Sequence, residues 1–283
     1  MSRCSPSHAV NTSITDTCFS RNDIFDIALR TRVIPNEDIQ RTKDSIQGIN
    51  IYILSGMLHS FFGTRLGEEN KWLKDEKLPT YLSRAFRNQW SDGKPHDLLD
   101  SVDIRNVLLQ YEESHPFFMF LGVQPLDFQD RYRDSCIANE DFVCNFSYKT
   151  LLKYGKTDFG LVINHDTHDL PGSHWVACYG SIDPSKKNRF GVFYFDSIGN
   201  PPLRQVGQFM DRFISSVPRN LGLFTCGENI KRLQFGNTEC GVYSIAFINN
   251  CLFSDLPYSD ICDVMPNDTF INKARHFILQ PIT

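Results

Sequence analysis

The chain has 283 residues, of which 41% are hydrophobic and 23 are phenylalanine. That suits one large domain, or one domain plus an extension, and excludes wholesale disorder. A formal net charge of −4 leaves no electrostatic footprint for nucleic acid. No apolar run approaches the roughly 18–20 residues that a membrane helix needs, and the polar start MSRCSPSHAV does not read as a secretory signal. The nine cysteines, at positions 4, 18, 136, 144, 178, 226, 240, 251 and 262, contain no C-x-x-C pair, so neither a zinc ribbon nor a thioredoxin motif is indicated. A reducing, intracellular compartment is expected, with most thiols free and buried.

In chain order, residues 1–20 are rich in Ser, Thr and Asn and read as loosely ordered. Ser20 is placed to cap a helix over Arg21–Arg30, with Ile24, Ile27 and Ala28 on one face. Ile49–Phe62 reads as an apolar helix, although its β-branched start leaves a strand open. Lys71–Gln89 reads as mixed helix and loop. The Gly and Pro of SDGKPHD (91–97) mark a boundary, giving an extension over 1–94 and a core over 95–283. Ser101–Tyr111 carries Ile104, Val107, Leu108 and Tyr111 at helical spacing. FFMFLGV (117–123), FGLVIN (159–164), HWVACYGSI (174–182) and RFGVFYF (189–195) read as strands. Leu203–Val217 is an amphipathic helix, Asn229–Leu233 a short strand, and a helix starts at Gly241. Strands in a row flanked by helices indicate an α+β layer fold.

Cys240 lies in LQFGNTECGVYS, between an acidic residue and a glycine at the start of an apolar helix. The plain reading is a small core residue. The chemical reading is that unpaired N–H groups and the positive end of the helix favour thiolate, with Gln234, six residues earlier, as an oxyanion donor. His174 heads an apolar strand in GSHWVACY, and Asp196 ends the next one in FYFDSIGN. Each has an ordinary alternative, a core-edge histidine and a turn aspartate. Adjacent strands ending at one edge would set the two side by side, as an orienting carboxylate requires. Cys178 reads as core, and so do Tyr243 and the IAFI run. PSKKNR (184–189) reads as a hairpin tip. NHDTHD, with His165, Asp166, His168 and Asp169, reads as a solvated loop, not a metal site.

These motifs, in the order His-Trp, Asp-Ser, Gln, acidic-Cys-Gly, resemble the SUMO and ubiquitin-like-protein protease superfamily, which includes the adenovirus protease. The likeness covers residues 95 to 255. Within it, TECGVYS, YFDSIGN and QYEESHPFFMFLGVQPLDF (110–128) most resemble the polyprotein-processing cysteine proteases of large nucleocytoplasmic DNA viruses, such as that of African swine fever virus. The resemblance implies a papain-like-superfamily α+β core, a central mixed sheet flanked by helices, with an N-terminal, mainly helical arm. It implies His174 as general base, Asp196 as its orienter, Cys240 as nucleophile and Gln234 in the oxyanion hole. Trp175 and Leu98 become substrate-binding residues. Cellular members carry a tryptophan where this chain has Leu98 in LLDSVDI (98–104), so a looser wall around a Gly-Gly strand is expected.

No cofactor and no metal are implied. The implied partner is a protein, either a viral structural polyprotein cut at Gly-Gly-X sites or a ubiquitin-like tail ending in Gly-Gly. Neither a membrane nor a nucleic-acid partner is expected. The setting implied is the host cytoplasm and the virion. The alternatives are a SUMO or ubiquitin deconjugase, a Cys-dependent acetyltransferase and an inactive scaffold.

Overall fold

The computed structural model describes residues 4, 17–19, 21–31, 33, 51–63, 72, 75–78, 98–132, 135–138, 141–186, 189–221 and 224–278. The chain divides into two compact units, Met1–Asn88 and Gln89–Thr283. In the first, α1 (Arg21–Thr31) and α2 (Ile51–Gly63) are the helices described. Ile24, Ile27 and Ala28 of α1 are buried in one cluster with Leu58 and Phe62 of α2 and with Trp72. The Trp72 ring stacks on Phe62 with centroids 4.7 Å apart. Asp23 in the first turn of α1 and Arg30 in the last both suit the helix dipole. Cys4 and Cys18 form a disulfide. Ser20 and the boundary segment 91–97 lie outside the described residues.

The second unit is built on a five-stranded sheet. Its elements are α3 (Ser101–Ser114), β1 (Phe118–Gln124), β2 (Arg131–Tyr132), β3 (Ser135–Cys136), α4 (Asp141–Cys144), α5 (Tyr148–Lys153), β4 (Asp158–Asn164), β5 (Trp175–Ser181), β6 (Gly191–Phe195), α6 (Arg204–Ser216), β7 (Thr225–Glu228), α7 (Cys240–Phe253), α8 (Tyr258–Val264) and α9 (Asp268–Ile278). The strand order is β1-β4-β5-β6-β7. The outer pairs are parallel, and the β4–β5 and β5–β6 pairs are antiparallel. This mixed arrangement brings the carboxyl ends of β1, β4, β6 and β7 and the amino end of β5 to one edge.

Alternate strand residues feed two cores. Val162, Ala177, Tyr179, Phe193 and Phe195 pack towards α3 and α7. Leu161, Ile163, Val176, Cys178 and Tyr194 pack towards α6, with Phe209 and Phe213. Helices thus cover both faces of the sheet, which is why its central strands read as unbroken apolar runs. The capping box of α3, Asp100 with Asp103, fixes where that helix begins. The Cα atoms of Cys136 and Cys144 lie 6.1 Å apart. Cys178, Cys251 and Cys262 are free and buried, whereas Cys226 is free and exposed on the edge strand β7.

The strand expected over Asn229–Leu233 is not formed. The paired segment is Thr225–Glu228, and the chain beyond it is a loop held by side chains. Asn229 receives the Asp196 N–H on its Oδ1 and donates to the Asp196 carbonyl, both at 2.7 Å. The N–H groups of Leu233 and Gln234 both go to the Ser197 carbonyl. Side-chain amide bonds replace the ladder, and Ile230 is left 84% exposed. The NHDTHD loop is tethered more than a solvated loop would be. His168 Nδ1 lies 2.6 Å from Asp127 Oδ2, and Asn164 Oδ1 accepts the N–H groups of Asp166 and Ser173.

Candidate active site

Four of the singled-out side chains reach the common edge of the sheet. His174 immediately precedes β5 and Asp196 immediately follows β6. His174 Nε2 lies 2.6 Å from Asp196 Oδ1. Asp196 is fully buried, and its carboxylate also accepts the Ile198 and Asn200 N–H groups. Burial opposes ionisation of Asp196, but the bonds from His174 and Ile198 hold its pKa below the usual carboxylate range. With Nε2 engaged, Nδ1 is the ring nitrogen of His174 left for Cys240, the other group that raises the His174 pKa. Burial works against the imidazolium, yet the bonds to Asp196 and Cys240 outweigh it and raise the pKa from 6.5 to about 9.

Cys240 is the first residue of α7. The preceding residue, Glu239, makes no side-chain cap to the helix. Its carboxylate instead accepts from the Thr238 N–H and from Asn272 of α9. The first N–H groups of α7 therefore stay open beside the sulfur. Gly241 has a packing reason beyond access to the thiol. A Cβ there would lie 3.1 Å from Leu99 Cβ, 3.2 Å from Ile104 Cδ1 and 3.4 Å from Trp175 Cδ1.

Gln234 is almost fully buried. Its Oε1 accepts from Ser197 Oγ at 2.6 Å and its Nε2 donates to the Gly236 carbonyl at 3.0 Å. The second amide hydrogen has no protein acceptor among the described residues. Asp268 fixes the loop between Gln234 and Cys240, because its Oδ2 accepts the N–H groups of Phe235 and Gly236 at 2.8 Å each. Trp175 donates from Nε1 to the Leu99 carbonyl at 3.0 Å. Trp175, the exposed Leu98 and Cys240 all line one cleft of about 530 Å³.

Asn229, Ser197 and Asp268 were not legible as parts of this assembly. Each acts across 25 or more positions of sequence, and no local pattern announces that. His165 is a further neighbour: its ring meets His174 edge-on with centroids 4.9 Å apart. Burial and the nearby His174 push its pKa down. His165, His174 and Asp196 are the three-ligand group found among the described residues. Two of its donor atoms already share a 2.6 Å hydrogen bond, closer than two donors on one tetrahedral ion, about 3.3 Å apart for 2.0 Å bonds. The set suits a proton better than a metal.

Set against known proteins, the chain is 28% identical over 223 residues to a thiol protease of Acanthamoeba polyphaga mimivirus, covering 77% of this chain and 65% of that one. It is 33% identical over 118 residues to the cysteine protease of a Malawi tick isolate of African swine fever virus, covering 41% and 42%. Its relatives are viral thiol proteases. The chain thus spans 65% and 42% of the length of these two relatives. No protein-family model matches it. The crystal structure of the African swine fever virus protease superposes with a TM-score of 0.62 at 19% identity, over 99% of this chain and 97% of that one. The chain has that fold, and the expected α+β core with a central mixed sheet flanked by helices is what is seen.

Proposed function

We propose that the chain is a cysteine endopeptidase that cuts a viral structural polyprotein at Gly-Gly-X sites, in the host cytoplasm and in the maturing particle. The observation that carries this is the bonded pair of Asp196 and His174, with Cys240, whose presence raises the His174 pKa, at the open amino end of α7. The thiol gives its proton to His174 Nδ1, and the thiolate attacks the carbonyl carbon of the scissile amide. The second N–H of Gln234 and the Cys240 backbone N–H hold the oxyanion. His174 then protonates the leaving amine as the C–N bond breaks, which leaves a thioester on Cys240. Water, deprotonated by His174, attacks the thioester and releases the acid and the thiol. Asp196 keeps the imidazole oriented and balances its charge without taking the proton. A thiol-protease name on both curated relatives supports the same reading.

Mass spectrometry of cleavage sites in a peptide library tests the proposal. Cuts after Gly-Gly that vanish in Cys240→Ala support it, and an active alanine variant overturns it. A second reading, deconjugation of a ubiquitin-like protein, is favoured by the name SUMO-1 cysteine protease on African swine fever virus relatives that are 29% identical over 41% of this chain. Comparing kcat/KM on a Gly-Gly-X decapeptide with that on SUMO and ubiquitin fusions separates the two. A preference for a folded fusion above about 100-fold, roughly 2.7 kcal/mol of transition-state binding, decides for deconjugation.

A further inference from the structure

One residue on the lining of the cleft beside Cys240 carries a buried polar atom that the chemistry above does not use. Gln124, at the end of β1, lines this cleft and is 2% exposed. Its Nε2 donates to the Leu121 carbonyl at 2.8 Å, while its Oε1 is buried without any hydrogen-bond partner. The amide cannot simply be turned over, because a carbonyl must be met by the nitrogen. The local backbone is shaped for this. Gly122 has φ +85° and sits where the β1–β4 register shifts. A Cβ at position 122 would stand 2.9 Å from Gln124 Nε2. Glycine is therefore what lets the Gln124 side chain fold back onto Leu121 and leave its oxygen buried without a partner. A buried acceptor without a donor is costly, and a donor arriving with a substrate removes that cost.

Position and lining indicate which donor. Gln124 pairs with Ile163 of β4, and β4 separates β1 from β5. Two strand spacings of ~4.8 Å put the end of β1 about 10 Å from the end of β5, the reach of about three extended residues. The cleft, about 530 Å³, is of the size that holds a ligand or long side chain, roughly 300–1,000 Å³. Leu99, Val123 and Ile137 offer an apolar wall to a long stem, while Asp100 and Asp166 add carboxylates. His168, also on the lining, is matched by Asp127. The balance favours a cationic head.

We propose that Gln124 forms the floor of a side-chain subsite that accepts a lysine-like residue, three positions before the scissile bond, with the ammonium donating to Gln124 Oε1. This deepens the peptidase reading and rests on it for the direction of the chain. The test is binding without turnover. Full-length Cys240→Ala protein is titrated by fluorescence anisotropy with two labelled decapeptides that differ only in lysine or norleucine before Gly-Gly-Ala. The lysine peptide is expected to bind at least about tenfold tighter, the value of one unmet buried acceptor. Adding Gln124→Met should shrink the difference below about threefold, with the norleucine peptide little changed, whereas Gln124→Glu, which keeps an acceptor, should preserve it. Equal affinities, no binding of either peptide, or a preference that survives Gln124→Met overturns the subsite. Wild-type cleavage of the same peptides is scored separately. A binding difference without cleavage overturns the peptidase reading and keeps the subsite, and cleavage with equal affinities does the reverse.

Discussion

Cys240, His174 and Asp196 lie 66 and 44 positions from the nucleophile to its base and orienter by numbering, yet a single 2.6 Å bond joins the last two. Cys240→Ala and Cys240→Ser should abolish turnover and, because each alters a single heavy atom of a buried side chain, cost no more than about 1 kcal/mol of stability; full activity in the alanine variant would dismiss the mechanism. His174→Ala should be nearly as damaging, because base and nucleophile act as a unit. Its proton is bound more tightly in the folded chain than in an unfolded one, with a pKa raised from 6.5 to about 9. The stability this confers is complete below pH 6.5 and is lost as the pH rises through about 9. The same proton is the one handed to the leaving amine. A profile of kcat/KM against pH should therefore fall on its basic limb near pH 9. Asp196→Asn removes a group that raises this pKa and should move the limb to lower pH; an unmoved limb would detach Asp196 from the chemistry. Gln234→Ala should lower kcat by roughly 10²–10³-fold with little effect on KM, read by steady-state kinetics on one peptide.

At the scale of elements, the backbone leaves little room where β6 meets β7. A Cβ at Gly191 would lie 2.3 Å from the Thr225 carbonyl oxygen, and backbone cannot swing aside as a side-chain end can. Gly191→Ala should open this parallel pair and cost about 1–3 kcal/mol, measured by denaturant unfolding; an unchanged midpoint would contradict the geometry. The long central strands were readable because burial on both faces writes apolar runs into the sequence. Helices α3, α6 and α7 were readable from apolar spacing. β7 was not: its residues Thr225, Cys226 and Glu228 are exposed, so nothing apolar marks it, and the neighbouring Ile230 and Leu233 pulled the expectation downstream. In the site, the flanks of His174, Asp196 and Cys240 carried the signal. The loop that presents Cys240 did not, because Asp268, Asn272 and Arg275 hold it from α9 by long-range bonds to Phe235, Glu239 and Thr238.

Taken whole, the unit Gln89–Thr283 has its own core on each face of the sheet. A protein lacking residues 1–94 should therefore unfold cooperatively on its own. If the missing part holds substrate, KM for a long polyprotein should rise more than KM for a decapeptide, and equal changes would remove that role. The placement of the free cysteines bears on how active protein is counted. Cys178, Cys251 and Cys262 are buried, and burial pushes all three thiols up in pKa, so alkylating reagents reach them slowly. Cys226 stands open on the edge strand. Cys240 is buried too but lines the cleft, so an iodoacetamide titration of folded protein should consume two equivalents among these five sulfurs, one at Cys226 and one at Cys240. The Cys226→Ser protein should consume one, and it is the form in which labelled thiol equals working enzyme.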